Sequence, residues 1–347
     1  MLSRLLTAAL FAPLIATTPN AHAWGANGHQ AVATLAADLI RGTPAEAQVK
    51  ALLGDMTLQE AAIWPDCAKG ISAAQGYSYP NPGKYASCAS LETPARIAEM
   101  ANYVRRNDRQ CEPKPGEESC HQQYHYTDVA FQRSRYIQGF AGTSEHDIVG
   151  AMRAAIAVLQ GRPATPPMDF ASPREALIVL THLVGDMHEP LHVGAVYLDA
   201  DGHAVDPDKV ATGDAEFTVG GNRLLLPVVP PARPLSLHTM WDDIPEALDS
   251  QHVGTAWLKA ARHVHATPGP LQDWPARWAN ESLEQARDAF NGLSFSTRRG
   301  EGRGTHWNMT LPAGYDARMA SMKRHELTLA GARLAQLLNA LWPQPPK

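Results

Sequence analysis

The chain has 347 residues and a formal net charge of −5. The length accommodates one large domain or two ordinary ones, and no linker-like stretch divides residues 24–347, which we read as a single domain. The charge argues against a nucleic-acid binder with a broad basic face, which draws affinity from many Lys and Arg contacts to phosphate; a metal cluster could supply positive charge instead.

Residues 1–23 carry the marks of a secretory leader: Arg4, an apolar stretch from Leu5 to about Thr17, then Ala21-His22-Ala23 as a small-x-small cleavage site. The stretch is too short to span a bilayer, and no later segment reaches the roughly 18 consecutive apolar residues a membrane helix needs. Cleavage after Ala23 would leave Trp24 as the amino terminus of an exported, soluble protein. Helices are predicted at about 28–41 and 45–54, the second opened by Thr43-Pro44, a cap followed by a residue that needs no N–H partner. Thr93-Pro94 opens another helical pattern, and 144–160 reads as a further helix. Ser172-Pro173 starts a segment whose apolar positions Ala176, Leu177, Val179, Leu180, Leu183, Val184 and Met187 wrap more than one face, as in a buried helix stopped by Pro190. Further helices are expected at 236–249, 253–265, 274–290 and 316–341. The best strand candidate is a hairpin from Glu216 to Leu226 turning at Gly220-Gly221-Asn222. Residues 70–90 and 108–119 read as surface loops. The expected class is therefore all-α, mainly helical with one short β-hairpin.

Four cysteines, Cys67, Cys88, Cys111 and Cys120, lie in loop-like sequence, and export makes disulfides the default. Three pairings exist; short loops favour Cys67 with Cys88 and Cys111 with Cys120. None forms a CxxC pair, so thiolate zinc sites are not expected.

The densest chemistry lies in Thr181-His182-Leu183-Val184-Gly185-Asp186-Met187-His188-Glu189-Pro190-Leu191-His192. His182 and Asp186, four apart on the predicted helix, share a face at about 5–6 Å between Cβ atoms, close enough for two ligands of one metal cluster. His192 follows the helix stop, where the chain can turn back. His238 and Asp242 repeat the four-residue step. One such pair is ordinarily a helix-surface ion pair, but the first is embedded in apolar sequence, where a carboxylate is costly unless paired or metal-bound. His188 and Glu189 are assigned supporting or structural places, and His203, His252, His263 and His265 are expected in solvent.

With these residues in place the chain resembles the zinc-dependent, single-strand-specific nucleases of fungi, plants and bacteria. The resemblance runs through Trp24-Gly25-Ala26-Asn27-Gly28-His29, Trp64-Pro65-Asp66, His125-Tyr126-Thr127-Asp128, the His182, Asp186 and His192 run, and His238 with Asp242. It implies the phospholipase C/nuclease-like helical fold and three zinc ions. Asp66, His125, His182 and Asp186 would hold one; Trp24, through its free amino nitrogen and carbonyl oxygen, would hold a second with His29 and Asp186; His192, His238 and Asp242 would hold the third. Asp186 would bridge the first pair and so take part in catalysis. The resemblance further places Lys69 on the phosphate as a catalytic group, Asp128 on a base edge, Tyr126 under the base as a stacking platform, and Asn222 at the pocket rim. It implies a monomer without a membrane partner that cleaves single-stranded DNA and RNA to 5′-phosphorylated products and acts on 3′-nucleotides.

Two rivals share part of this pattern. Zinc-dependent phospholipases C share the fold and the amino-terminal Trp, but have a longer gap from it to the next His and end in Glu; here 46 residues separate His192 from His238, and Asp242 closes the set. A non-catalytic periplasmic zinc-binding protein would need the ligands but neither Lys69 nor a base pocket.

Overall fold

The computed structural model describes residues 24–114, 117–228 and 233–345; the expected leader, residues 1–23, lies outside the described residues. Eleven α-helices follow in chain order among them: α1 (Ala26–Leu39), α2 (Pro44–Leu53), α3 (Leu58–Ala68), α4 (Pro94–Asn107), α5 (Cys120–Gln123), α6 (Ile148–Leu159), α7 (Pro173–Asp186), α8 (Leu237–Asp242), α9 (Thr255–Arg262), α10 (Trp274–Phe290) and α11 (Tyr315–Leu341).

The helix starts follow local chemistry. Thr43, Thr93 and Ser172 each accept a backbone N–H from three residues on, with proline next in line. Thr57 and Glu60 form a reciprocal capping box at the head of α3. That helix was not expected, and it carries Pro65 in its interior. The central helix is α7, buried without interruption from Ala176 to Asp186. It packs on α3, α6 and α1, and α1 is backed in turn by α11. The helices converge on one continuous hydrophobic core that includes Trp24, Trp64, Trp241, Trp278 and Trp307. No helix of the described residues is long and apolar enough to cross a membrane.

The fold is mainly helical, but the strand expectation needs correction. Nine short strands occur among the described residues: β1 (Val129–Ala130), β2 (Gly194–Ala195), β3 (Tyr197–Leu198), β4 (Ala204–Val205), β5 (Glu216–Phe217), β6 (Leu224–Leu226), β7 (Leu235–Ser236), β8 (Ser294–Phe295) and β9 (Trp307–Thr310). They form three small sheets, ordered β1-β2, β4-β3-β5 and β7-β6-β9-β8. The segment from Glu216 to Leu226 is not a hairpin: β5 pairs with β3, whereas β6 pairs with β7 and β9. Val219, Gly220 and Gly221 all take positive φ, and the chain they redirect leaves one sheet for another. The expected helix at 236–249 also shortens to α8, followed by 3-10 turns at 246–248 and 250–252, because Pro245 removes a helical donor.

Both disulfides pair as the short loops favour, Cys67 with Cys88 and Cys111 with Cys120. The first ties the 70–90 loop to α3 one residue past Asp66. The second closes the 108–119 loop onto α5.

Candidate metal centre and nucleic-acid site

The ligand candidates come from separate elements. His29 lies on α1, Asp66 on α3, and His182 and Asp186 one turn apart on α7; all four are buried. Asp186 stands between two imidazoles, with Oδ1 3.0 Å from His29 Nε2 and Oδ2 3.0 Å from His182 Nε2. Asp66 Oδ1 lies 3.8 Å from His182 Nε2. The His29 and His182 rings stack at 4.1 Å between centroids. Gly185 makes this closeness feasible: a Cβ there would stand 2.7 Å from His29 Nδ1.

His192, His238 and Asp242 form a second buried group. His192 Nε2 faces His238 Nε2 at 3.3 Å, and His238 Nε2 lies 3.6 Å from an Asp242 oxygen. His192 sits in a 3-10 turn after Pro190, and His238 and Asp242 occupy one face of α8, whose start is capped by Ser236. The glycine turn that spoils the expected hairpin has its use here, since Gly220 presents its carbonyl to His238 Nδ1 at 2.8 Å.

Three of the imidazoles are oriented alike. Nδ1 of His182, His192 and His238 points at the carbonyls of Ala62, His125 and Gly220, at 2.7, 3.0 and 2.8 Å. A carbonyl only accepts, so each Nδ1 carries the proton and each Nε2 turns a lone pair inward, the arrangement in which backbone partners orient metal-ligating histidines. Burial pushes His192 down to about 4 and His238 to about 3, which keeps both neutral at neutral pH. Burial would raise the Asp186 carboxyl, but His182 and His29 overcome it and hold it well below the usual carboxylate range. Asp242 has only His238 at 3.6 Å, and burial, then Glu189 and Asp66, raise it well above that range.

A divalent cation fits this donor set. The Asp186 oxygens, His29 Nε2 and His182 Nε2 are buried and close, yet none makes a properly directed hydrogen bond, nor does Asp242 Oδ1. Buried polar atoms without directed partners are costly in a folded protein, and donors aimed at a shared point instead of at one another are what an ion requires. Nitrogen and oxygen donors alone suit zinc.

Around these groups lie the remaining expected residues. Lys69 caps the end of α3 with its side chain only 8% exposed, its Nζ 2.8 Å from Asp66 Oδ1 and 3.3 Å from His125 Nε2. It is therefore no ordinary surface lysine. Burial would lower it, but Asp66 more than compensates and keeps it charged. His125 is buried and held neutral, first by burial and then by Lys69. Tyr126 is half-buried, its ring edge-on to His125 at 5.1 Å. Asp128 is buried nearby, its backbone fixed by Gly142 and by the Tyr197 hydroxyl. Asn222 spends its side-chain amide on the Val219 carbonyl, closing its own turn. Trp24 is fully buried, and Gly25 N–H donates to the Asp242 carbonyl, so the 24–29 segment runs between the two groups.

Sequence reasoning gave Glu189 a supporting or structural place and singled out no role for Glu118. Glu189 is fully buried and pushed up to about 8, first by that burial, with the charge of Asp186 adding to the rise and the His192 backbone N–H and Lys323 opposing it. Glu118 lies exposed in the loop closed by the Cys111–Cys120 disulfide. His188, buried, bridges Val184 O and Arg333, while His203, His252, His263 and His265 are exposed as expected.

The family model of the S1/P1 nucleases matches residues 24–343. No curated protein matches the chain. With the match running from Trp24 past the last ligand candidate to the end of α11, the chain belongs to the S1/P1 nuclease family and is a nuclease.

Proposed function

We propose that this nuclease is an exported, monomeric zinc enzyme that hydrolyses phosphodiester bonds of single-stranded DNA and RNA to 5′-phosphorylated products, and removes phosphate from 3′-nucleotides. The observation that carries the proposal is the pair of buried His and Asp groups, joined through the 24–29 segment and flanked by a buried charged lysine. Export is supported by the leader-like sequence of residues 1–23 and by the two disulfides.

Asp66, His125, His182 and Asp186 would hold one zinc, Trp24, His29 and Asp186 a second, and His192, His238 and Asp242 a third. Zinc, when bound, supplies charge to a phosphate and lowers the pKa of a coordinated water from 15.7 to about 7. The residues do the rest. Asp186 presents one oxygen to each of two imidazoles and so fixes the spacing of two ligand sets. The Nδ1 contacts of His182, His192 and His238 keep three imidazoles from swinging. Lys69 brings a cation to where a phosphate oxygen gains charge in the transition state. Tyr126 offers a ring face and Asp128 an acceptor to an unstacked base. Stacking contributes about 1–3 kcal/mol per base and tolerates any sequence, and a base held in a duplex cannot reach such a platform without unstacking, hence the single-strand preference.

The test is hydrolysis of single-stranded DNA, duplex DNA, RNA, 3′-nucleotides and phosphatidylcholine, before chelation, after it, and after zinc is restored. Zinc-restored cleavage of single strands well above duplex is the expected result. Release of phosphocholine instead would make the protein a phospholipase C, and zinc binding without turnover would make it a carrier.

A further inference from the structure

Asp242 is the carboxylate of the second ligand group, yet the helix that carries it, α8, is only 6 residues long. A helix so short is marginal by itself, so contacts from outside must fix where Asp242 points. The start of α8 is held by Ser236, whose Oγ accepts the Thr239 N–H at 3.0 Å, and Trp241 Nε1–H donates to the Tyr315 hydroxyl at 3.0 Å. The end of α8 has a further need, because the carbonyls of a last turn have no partner within their own helix.

Lys323, on α11, reaches that end. Its Nζ donates to the Met240 carbonyl at 2.6 Å and also to the Asp243 carbonyl. The carbonyls two residues before Asp242 and one residue after it are thus held by a single atom. Asp242's own carbonyl accepts the Gly25 N–H at 2.9 Å. The main chain of Asp242 is therefore fixed at the residue itself and on both sides of it, while its Oδ1 is buried with no hydrogen-bond partner.

The lysine is 2% exposed. Burying an amine is costly, and packing alone would favour an apolar side chain at such a position. What the lysine adds is a donor for two last-turn carbonyls. It also stands on a rigid base, since α11 is a helix of 27 residues packed against α1 and α7, which carry His29, His182 and Asp186. Lys323 thus joins the short helix to the frame behind the other ligand group.

We propose that Lys323 is a positioning residue of the metal centre: by holding the end of α8 it sets the Asp242 carboxylate where it joins His192 and His238 on one zinc. The inference rests on the zinc reading of that group.

The test compares Lys323→Met, which keeps the length of the side chain and removes its donors, with Lys323→Arg, which keeps donors, in the zinc-loaded protein beginning at Trp24. Zinc content is read by elemental analysis and affinity by titration with a competing chelator, well below the melting temperature. Lys323→Met should weaken one zinc by roughly 10- to 100-fold, the scale of losing an outer partner of a metal ligand, and leave the other two unchanged; Lys323→Arg should recover most of that affinity. Added to His238→Ala, which empties the same site, Lys323→Met should release no further zinc. Leu334→Ala, a fully buried position roughly 16 Å further along α11, should lower the melting temperature with all zinc affinities intact. If Lys323→Met does the same, or weakens every zinc alike, Lys323 is a general stabilising residue and the proposal is overturned. Should Lys323→Met fail to fold, Lys323→Gln, which retains an amide donor, is judged by the same outcomes. An unmodified protein with no zinc at His192, His238 and Asp242 would overturn the zinc reading and the role of Lys323 with it, whereas zinc there that no Lys323 variant weakens would overturn the role of Lys323 alone.

Discussion

His29, Asp66, His182 and Asp186 ride on helices of 14, 11 and 14 residues packed into the core, whereas His192, His238 and Asp242 ride on a 3-10 turn and a helix of 6 residues. The charge differs as well. In the first group Lys69 pairs with Asp66, and His182 and His29 hold Asp186 well below the usual carboxylate range; in the second, imidazoles that burial keeps neutral meet a carboxyl that burial, then Glu189 and Asp66, raise well above it. The helix-borne group is set by helix packing and would hold its shape whatever it binds. The turn-borne group depends on backbone carbonyls of Gly220 and His125, and more of its order should come from the ion itself, since an ion that binds only the native state adds to its stability.

The largest expected effect attacks the first group. Asp186→Asn removes the charge between His29 and His182, and single-strand cleavage should fall by roughly 10³-fold or more, the upper end of the effect of removing one transition-state electrostatic partner. Its zinc content should fall by more than one ion per chain, because two ligand sets share that carboxylate. His238→Ala should also abolish cleavage but release only one zinc, as read by elemental analysis. Equal zinc loss in both variants would break the asymmetry.

Next comes the amino terminus. A residue left before Trp24 converts its amine to an amide, a poor ligand. The extended protein should keep its helical circular dichroism and the zinc of the turn-borne group, yet lose one zinc and nearly all cleavage. Three zincs and full activity in the extended protein would remove Trp24 from the site.

Two glycines then compare the groups directly. Gly185→Ala places a Cβ 2.7 Å from His29 Nδ1, in a helix that cannot yield; Gly220→Ala meets His238 Nδ1 at 3.3 Å and sits at φ +53 in a turn that can adjust. Gly185→Ala should therefore lower the melting temperature and zinc affinity more than Gly220→Ala. The reverse order would mean the helical frame is the softer of the two.

The smallest effect lies behind the site, on α11. Glu326 is buried and pushed up to about 8 from 4.5, so the folded state holds a proton the unfolded chain releases. Its contribution to stability is present below about pH 4.5 and is lost as pH rises toward 8, a change on the order of a few kcal/mol. Glu326→Gln should raise the melting temperature more at pH 8 than at pH 5, with cleavage little altered. An equal shift at both pH values would contradict the burial argument.

The same contrast explains what the chain made legible. Helix-borne ligands announce themselves by spacing: His182 and Asp186 share a face because they are four apart, and a buried helix is plain from its apolar run. α10 matches its expected bounds, 274–290, and α11 begins one residue before its own. α3 escaped notice because Pro65 interrupts the pattern, although Thr57 and Glu60 spelled out a capping box. The false hairpin came from Gly220-Gly221-Asn222, turn residues whose chemistry fits a hairpin but whose contacts with His238 and Val219 depend on tertiary placement. Glu189 could be given a supporting place from its position beside the ligands, but not its full burial, since no local spacing tells which carboxyl a helix end will turn inward.

The central claim, that both groups hold zinc around one Asp186-bridged centre, is tested most directly by anomalous diffraction at the zinc absorption edge from crystals of the protein beginning at Trp24. Three peaks are predicted, two sharing Asp186 and one among His192, His238 and Asp242. Zinc-saturated crystals with no peak at either group, or with a single peak away from Asp186, would contradict the account.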